Sequence, residues 1–597
     1  MAHKNTPDRQ ARSPGSTKEG GKSPPRERAV RETIESIVIA FILAFLFRTF
    51  QAEGYVIPTG SMRPTLVGLH KDFNCPKCGF LYQVGVSRGV DQATGKRRFD
   101  SQAESAICPM CRYRTDLREN NPRHREYLDY SGDRLQVAKF LYDFEPPQRW
   151  DVAVFKYPHE AETNYIKRLV GMPDETLRID HGDVFTKKPD EKDFTIARKK
   201  PRKVVATLQD VYDNDYTLDE MLDAGWPARW QPSTATGELV GDGGAWSTDD
   251  RGRSYHLDEP TSETVWISYR HILPSFEDWK RIERGTLKPS DIPPPQLITD
   301  FYAYNTGVTQ PPGPLVGGDA QCLGLHWVGD LAVECELRID GNDGEVEVVL
   351  IEGGRRLQCQ FDIAKATARL SIDSRPDYSP TASVPLDGPG TYAIRFANVN
   401  DRLYLWIDDK PIEFDATTTF EPLDNQRPMP DDLVPVRIGA TGATGAVDHM
   451  RVLRDVYYIA TREPLVLRTQ RYVLADYPNN SPIYRSLSED GLRAIMSDPR
   501  QWSVFDDMRQ IQFDVFPGHY MALGDNSPGS MDSRLWGSPN VRMRLPDDHL
   551  VPRSLLIGKA LFVYWPHTWE TPWSFELPGT GIRVPFYPNF KKFRRIR

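Results

Sequence analysis

A mostly β fold with one N-terminal transmembrane helix is predicted by three features of the 597-residue sequence. Short β-prone runs separated by Pro, Gly, Asn or Asp occupy residues 130–185 and, further on, the region from about 325 to 458. An unbroken apolar run covers residues 37–47. The chain as a whole is polar, with 39% hydrophobic and 26% charged residues, and this composition excludes a bundle of membrane helices, a collagen and a wholly disordered chain.

The N-terminus is predicted as a disordered basic cytoplasmic tail over residues 1–32 and a transmembrane helix over 33–52. The tail is rich in Lys, Arg, Ser, Pro and Gly and has too few large apolar residues to offset chain entropy. The apolar run is shorter than the roughly 20 residues that cross a bilayer, so the span must extend to include Glu35 and Arg48 near its ends. A cleaved signal peptide and a buried core helix are the alternatives. Eight upstream Lys and Arg favour a single-pass anchor with the remaining chain on the extracytoplasmic side.

A zinc-ribbon-like insertion is predicted over residues 69–126. It holds four of the seven cysteines as two CxxC pairs: Cys75, Cys78, Cys108 and Cys111. Two such turns place four thiolates tetrahedrally around Zn²⁺ at about 2.3 Å, and proline inside both pairs fits the tight turns. Two disulfides or a redox pair are the alternatives, and the 29 intervening residues exceed the commonest ribbon spacing. A zinc ion with four protein ligands would be structural.

A large insertion is predicted over residues 186–508, including an antiparallel β-sandwich at about 320–460. Alternating apolar and polar runs joined by Gly, Asp and Asn turns predict the sandwich. The segment 186–323 is rich in Pro, Asp and Trp, and its strands cannot be placed from the sequence. The spacing of the other three cysteines fixes no pairing: Cys322, Cys335 and Cys359.

Ser61 is the first residue that indicates catalysis, because it follows the predicted membrane helix in a turn that Gly60 allows to be tight. A serine nucleophile needs a base, and the twelve histidines show no Ser/His/Asp order, so a lysine is considered instead. Lys167 lies in the apolar strand predicted over 164–170, where burial would lower the pKa of its amine and let it accept the serine proton. From local sequence alone, a strand-edge lysine with its ammonium in water is the simpler interpretation.

Six sequence boxes, in this order along the chain, resemble those of bacterial type I signal peptidases. They cover residues 57–65, 132–140, 150–158, 164–173, 524–537 and 557–560. Together with the preceding anchor and the segments that join neighbouring boxes, the resemblance covers about 150 residues, a quarter of the chain. The resemblance implies a signal-peptidase-type antiparallel β catalytic core assembled from residues 53–68, 127–185 and 509–566. It also implies a serine endopeptidase with a Ser/Lys dyad, which removes signal peptides from exported preproteins at the outer face of the cytoplasmic membrane and needs no cofactor for catalysis.

The resemblance assigns roles to single residues. Ser61 matches the nucleophile and Lys167 the general base. The amide of Ser61 and the hydroxyl of Thr59 match the oxyanion hole, where serine is usual at the threonine position. Ser530 matches a serine that hydrogen-bonds the lysine. The remaining support roles fall on two ion pairs: Asp525 with Arg168, and Asp532 with Arg534. The loop 526–530 is less polar than is usual in this family, which puts the geometry around Ser530 in question.

An extended cleft would bind the substrate as an added strand between residues 55–58 and 164–166. Tyr55, Ile57 and Ile166 would line shallow apolar pockets, which the family uses to select A-x-A cleavage sites.

Other expected partners are membrane lipid, through the aromatic and basic C-terminal tail over 567–597, and a glycan or protein ligand of the sandwich. The sandwich resembles laminin-G or concanavalin-like modules, many of which bind nothing. The net charge of −8 argues against nucleic acid. The alternative function is a catalytically silent, membrane-anchored binding protein that acts through the sandwich.

Overall fold

The computed structural model describes residues 25–50, 52–87, 105–117, 129–241, 244–248, 250–307, 323–423, 426–462, 465–466, 472–473, 475–536, 548–565, 568–576, 583–588 and 593–596. The chain forms two compact units, Met1–Glu53 and Gly54–Arg597. The prediction of a mostly β fold is confirmed.

The first unit contains a 26-residue helix, Pro25–Phe50. The predicted disordered tail therefore ends earlier than residue 32, and residues 1–24 lie outside the described residues. Among the helices that the structure describes, none is both long enough and apolar enough to cross a membrane. The transmembrane helix predicted over 33–52 is not supported, because the apolar run 37–47 is only part of a helix whose first turns are charged.

The second unit holds an eight-stranded sheet, here called the catalytic sheet. In order, its strands are Ala52–Val56, Arg134–Ala138, Leu556–Trp565, Val152–Tyr157, Glu160–Gly171, His519–Leu523 and Val551–Pro552, with Arg594–Arg595 pairing beside Leu556–Trp565. A four-stranded sheet continues from it: Thr195–Ile196, Asp183–Lys187, Glu175–Asp180 and Ile511–Val515. The ladders that join the strands of both sheets from Arg134–Ala138 onward are antiparallel. Distant parts of the chain therefore meet in the catalytic sheet.

Two further sheets of seven strands form the large insertion and are here called the sandwich. The first contains Gln209–Asp213, Gly445–Arg454, Leu331–Ile339, Gly390–Asn398, Leu403–Ile407 and Lys410–Pro411, with Tyr255–Leu257 beside Gly445–Arg454. The second contains Trp230–Ser233, Val265–Tyr269, Val436–Thr441, Glu345–Glu352, Arg355–Asp362, Thr367–Ile372 and Thr381–Ser383. Four of these strands precede the predicted start near residue 320. The Pro- and Trp-rich segment thus belongs to the sandwich.

Smaller elements complete the second unit. One sheet contains Leu81–Gly85, His70–Asn74 and Asp129–Tyr130, and three hairpins pair Ser105–Ile107 with Arg114–Asp116, Leu465–Val466 with Tyr472–Val473, and Thr568–Glu576 with Arg583–Pro588. The α-helices are Leu141–Phe144, Pro201–Thr207, Asp219–Asp223, Phe276–Arg284 and Glu489–Ser497. The segment predicted as a C-terminal tail, residues 567–597, contains regular structure. It forms the hairpin of Thr568–Glu576 and Arg583–Pro588 and adds the strand Arg594–Arg595 to the catalytic sheet.

Buried apolar clusters show where the cores lie. The inner faces of the sandwich and the cysteine hairpins share one large cluster, which includes Cys108, Trp279 and Phe361. The catalytic sheet has separate clusters on its two faces, one around Met62 and Val154 and the other around Phe155 and Leu169. The cysteine insertion is therefore packed on the sandwich.

Candidate active site

The nucleophile candidate lies in a short 3₁₀ turn, Gly60–Met62, which follows the first strand of the catalytic sheet. Ser61 is 4% exposed. The ring of Tyr304 packs directly on Gly60 of this turn, where a Cβ atom would lie 2.0 Å from the ring. Glycine is required at this position for close packing, and the adjacent serine is held in a fixed, enclosed place.

Lys167 reaches this serine from the strand Glu160–Gly171. The strand pairs with Val152–Tyr157 and places Lys167 opposite Ala153. The Nζ atom of Lys167 lies 2.8 Å from Oγ of Ser61 and 3.0 Å from the carbonyl oxygen of Ile166. Ser61 and Lys167, which the sequence analysis predicts as nucleophile and base, are therefore in hydrogen-bond contact.

The surroundings of Lys167 favour its neutral form. The residue is 5% exposed, and burial lowers the pKa of its amine to about 8, although the negative charges of Asp532 and Asp525 partly oppose this effect. The solvated strand-edge lysine that the local sequence favoured is wrong. An amine with this pKa is neutral in a useful fraction of molecules near neutral pH and can take a proton from a hydroxyl at 2.8 Å.

Thr59 stands next to the nucleophile, and its Oγ1 donates a hydrogen bond of 3.4 Å to Oγ of Ser61. Its hydroxyl therefore lies beside the reacting oxygen, and the predicted role as an oxyanion-hole donor requires such a position. The backbone amide of Ser61 is the second donor expected there, and the turn Gly60–Met62 sets its direction.

Arg168 and Asp525 form a fully buried bidentate ion pair behind the lysine. Nε and Nη2 of Arg168 each donate a hydrogen bond of 2.6 Å to one carboxylate oxygen of Asp525. Thr65 closes this group, since it accepts a hydrogen bond from Nη2 of Arg168 at 2.8 Å and donates one to Asp525 at 2.5 Å. The pair joins the lysine strand to the loop 524–534, and Thr65 connects both to the segment that carries Ser61, which fits the predicted support role.

A second buried bidentate pair joins Asp532 and Arg534, with both hydrogen bonds at 2.8 Å. Asp532 also accepts a hydrogen bond of 3.0 Å from the amide of Gly524. Arg534 donates to Oγ of Ser527 at 2.6 Å and to the carbonyl of Ile459 at 2.9 Å. The pair thus fixes the loop 524–534 and connects it to the end of the sandwich.

Ser530 is placed differently from its predicted role. It is 3% exposed and lies beside Gly524, where a Cβ atom would be 2.2 Å from its Oγ and 2.5 Å from the carbonyl oxygen of Ser61. Within the described part of the chain its Oγ has no hydrogen-bond partner, so the predicted bond to Lys167 is not formed. The turn Ser527–Gly529, in the loop that departs from the family pattern, precedes it.

The predicted substrate contacts share one apolar cluster. Ile57 is 2% exposed, while Tyr55 and Ile166 are partly buried against the same group. Three strands lie between Ala52–Val56 and Glu160–Gly171 in the catalytic sheet, so the two are not directly paired. The strand His519–Leu523 pairs with the lysine strand only along residues 168–171, and residues 164–166 have one sheet neighbour among the described strands.

The four predicted metal ligands meet at the tips of two hairpins. Their Sγ atoms all lie within 4.8 Å of one another, with 3.5 Å between Cys75 and Cys111 and 3.6 Å between Cys78 and Cys108. Tetrahedral coordination with Zn–S bonds of about 2.3 Å separates sulfur atoms by about 3.8 Å. None of the four is in a disulfide, and neither are Cys335 and Cys359, while Cys322 lies outside the described residues.

The two tips repeat the same backbone turn. The amide of Gly79 donates to the carbonyl of Cys75 at 2.9 Å, and the amide of Arg112 donates to that of Cys108 at 3.0 Å. Gly79 and Arg112 both have left-handed backbones, with φ of 76° and 60°. Nε1 of Trp279, from the helix Phe276–Arg284 of the insertion, donates to the carbonyl of Cys111 at 2.8 Å. The donor set and the paired turns fit a Zn²⁺ ion.

Sequence reasoning missed several residues of the site. Thr65 and Asn526 lie inside quoted boxes, so their position in the motifs is a signal that could have found them. Tyr304 and Asn305 belong to the segment whose strands could not be placed, and no pattern in the sequence marks them. Asn526 donates from Nδ2 to the carbonyl of Gly60 at 3.1 Å and so touches the nucleophile turn itself.

Two segments of the chain, residues 129–221 and 474–565, match the family model for signal peptidase, peptidase S26. They include Lys167, Arg168 and the loop 524–534, while Ser61 lies outside them. Signal peptidase I of Rickettsia bellii (strain OSU 85-389) is 23% identical over 151 residues, which cover 24% of this chain and 35% of the relative. The enzyme of Pseudomonas aeruginosa PAO1 is 44% identical over 59 residues, 8% of this chain and 21% of the relative.

A probable signal peptidase I-1 of Synechocystis sp. PCC 6803 is 24% identical over 163 residues, 26% of this chain and 51% of that relative. The chain therefore spans between about a fifth and a half of the length of these curated relatives. Together the matches show that parts of this chain are similar to signal peptidases of the S26 family.

Solved structures also match this chain, among them a carbohydrate-binding module and a galectin. Carbohydrate-binding module CBM66 from Bacillus subtilis has a TM-score of 0.19 and 9% identity, covering 38% of this chain and 96% of that one. The Caenorhabditis elegans galectin LEC-6 has a TM-score of 0.16 and 10% identity, covering 21% and 83%.

Proposed function

We propose that this protein is a serine endopeptidase that removes signal peptides from exported preproteins, with Ser61 as nucleophile and Lys167 as general base. The observation that carries the proposal is the 2.8 Å contact between Nζ of Lys167 and Oγ of Ser61, in a site where both side chains are nearly fully buried. The family matches support the same class of activity. Exported preproteins are processed at the extracytoplasmic face of the cytoplasmic membrane, which is the location we propose.

The reaction follows from the geometry. Neutral Lys167 accepts the hydroxyl proton of Ser61 while Oγ attacks the scissile carbonyl carbon. The amide of Ser61 and the hydroxyl of Thr59 donate to the oxyanion, worth about 3–4 kcal/mol per donor in the transition state. Lys167 then gives its proton to the leaving amine, and an acyl-enzyme forms. The same amine activates the water that hydrolyses this ester.

Specificity for A-x-A-like sites is part of the proposal. A signal peptide would add as a strand along residues 164–166, which have one sheet neighbour among the described strands. Ile57, Ile166 and Tyr55 share one apolar cluster beside the dyad, and this supports shallow pockets that accept alanine. Bulky side chains at these subsites would clash with the cluster.

The cysteine cluster has no place in this chemistry. Cys75, Cys78, Cys108 and Cys111 would hold one Zn²⁺ ion with four thiolates, which leaves no open position for substrate or water. The ion would cross-link the two hairpins that pack on the sandwich.

A preprotein with an A-x-A site, incubated with the full-length protein in detergent, tests the proposal. Mass spectrometry of the product should show one cut after the site. Ser61→Ala and Lys167→Ala should each abolish cleavage, and the double variant should be no worse, because nucleophile and base act as one unit. Ser497→Ala is the matched control, because the hydroxyl of Ser497 donates to the carbonyl of Arg493 within the helix Glu489–Ser497.

The alternative, a silent binding protein, predicts no cleavage by the wild type. Full turnover by Ser61→Ala would overturn the proposed nucleophile, and substantial turnover by Lys167→Ala would overturn the proposed base.

A further inference from the structure

The 3₁₀ turn Ala303–Gly307 comes from the large insertion, outside the segments that match the peptidase family. It nevertheless packs against the nucleophile. The ring of Tyr304 lies on Gly60 and on Gly85 of a cysteine hairpin, where added Cβ atoms would be 2.0 Å and 2.3 Å from it. We call Ala303–Gly307 the bridge turn, because it contacts the nucleophile turn and the cysteine hairpins at once.

The bridge turn is held firmly from its other side. The hydroxyl of Thr306 donates to the carbonyl of Ala303 at 2.7 Å and accepts a hydrogen bond of 3.1 Å from the amide of Ile107. Oη of Tyr304 donates to the carbonyl of Leu69 at 3.2 Å. The side chain between Tyr304 and Thr306, Asn305, therefore projects from a fixed backbone.

Asn305 and Asn526 form a reciprocal amide pair. Each Nδ2 donates to the Oδ1 of the other at 2.8 Å. Asn526 is 3% exposed, and its Nδ2 also donates to the carbonyl of Gly60 at 3.1 Å. Gly529 leaves room for the pair, because a Cβ atom there would lie 2.6 Å from Nδ2 of Asn526. The side-chain amide of Asn526 can donate to the carbonyl of Gly60 only while its plane keeps the orientation that the pairing with Asn305 sets.

The carbonyl of Gly60 and the amide N–H of Ser61 belong to the same planar peptide group. In a trans peptide the two bonds point in opposite directions, so a hydrogen bond that fixes the carbonyl also fixes the N–H. That N–H is the expected oxyanion donor. The backbone amide of Asn526 donates to the carbonyl of Ser61 at 3.0 Å and holds the next peptide group as well.

We propose that Asn305 is a positioning residue for the peptidase reaction: through Asn526 it orients the Gly60–Ser61 peptide group and hence the oxyanion donor. The inference rests on the proposed function. It means that the large insertion supplies part of the active-site support, and that the core segments shared with the family are incomplete without it in this chain.

Asn305→Leu, which has similar volume but no amide, tests the inference. An oxyanion donor acts on the transition state, so we expect kcat to fall about tenfold with little change in KM. The pH profile should keep its midpoint, because the surroundings of Lys167 are unchanged. Asn305→Asp keeps the acceptor for Nδ2 of Asn526 and should recover most of the lost rate, measured on the pH plateau.

Counting the active sites that still react distinguishes a positioning role of Asn305 from a merely structural one. The burst of p-nitrophenol from a peptide p-nitrophenyl ester gives the concentration of reactive Ser61, and kcat is expressed per reactive site. Asn214→Ala is the matched control, because Asn214 is a buried asparagine of the insertion that donates to the carbonyls of Gly252 and Arg253. It should lower stability and leave kcat per site unchanged.

Three outcomes would overturn the inference. They are an unchanged kcat per site in Asn305→Leu, a loss that appears only in the number of reactive sites, and an equal loss in Asn214→Ala. If Asn305→Leu does not fold, the comparison of Asn305→Ala with Asn305→Asp decides by the same criteria. Failure of the proposed function is distinguished separately, because either the wild type would then not cleave the preprotein at all or Ser61→Ala would cleave it as fast as the wild type.

Discussion

Replacing Lys167 by methionine should abolish cleavage and yet stabilise the fold at neutral pH. Burial lowers the pKa of the amine to about 8, against about 10.4 in an unfolded chain. Between these values the unfolded chain binds the extra proton, so wild-type stability rises with pH from about 8 to 10.4. At pH 7 the difference corresponds to about 3 kcal/mol, at about 1.4 kcal/mol for each pH unit. Lys167→Met lacks this cost, and its advantage should vanish as pH approaches 10.4.

Urea denaturation of both proteins at pH 7, 9 and 10.5 measures the effect. Lys203→Met is the matched control. Burial, assisted by the charge of Arg168, also lowers the pKa of Lys203 to about 8. Unlike the amine of Lys167, however, Nζ of Lys203 donates to the carbonyl of Trp150, at 2.8 Å. This variant should gain stability at pH 7 and keep cleavage activity. Wild-type kcat/KM should rise with pH, with a midpoint near 8. The reasoning is refuted if Lys167→Met is less stable at pH 7 by an amount that does not change with pH.

Three further predictions concern other buried groups. Arg168→Met leaves Asp525 without its partner, and urea denaturation should show a loss of about 3–5 kcal/mol, because a single charge then remains buried. Metal analysis should find about one zinc per chain in the wild type and in Cys335→Ala, a buried cysteine of the sandwich, and none in Cys108→Ser. Burial raises the pKa of Asp183 to about 7, so the stability that this carboxyl contributes is complete at acid pH and is lost as pH rises through 7. The midpoint of urea denaturation should therefore fall less between pH 5 and pH 9 in Asp183→Asn than in the wild type.

The strands of the catalytic sheet could be predicted because their residues alternate and their turns carry Pro, Gly or Asp. The lysine strand is an example, observed at Glu160–Gly171 against a prediction of 164–170. The pairing of Ser61 with Lys167 was not derivable from local pattern, since a lysine in a strand has its head in water in most proteins. The ordered boxes supplied that pairing, and two CxxC turns were enough to predict the thiolate cluster.

The parts that escaped prediction depend on contacts between distant residues. The strands Trp230–Ser233 and Tyr255–Leu257 are too short to show a period, and they form because the sandwich provides partners. Asn305 acts only through Asn526, which lies 221 residues further along the chain. The N-terminal helix shows the opposite case: the sequence located a helix correctly, while the structure does not support its predicted span across a membrane.

The order of residues along the chain has a consequence for biosynthesis. Ser61 lies in a turn whose carbonyls are held by Asn526, and the hydrogen bond to Gly60 spans 466 residues. At a translation rate of about 5–20 residues per second, the ribosome needs about 25–90 s to make that stretch. Contacts so distant in sequence also close late during folding. A growing chain therefore carries a nucleophile turn that Asn526 does not yet hold, and under the proposed function the oxyanion donor takes its final direction only after residue 526 has been synthesised.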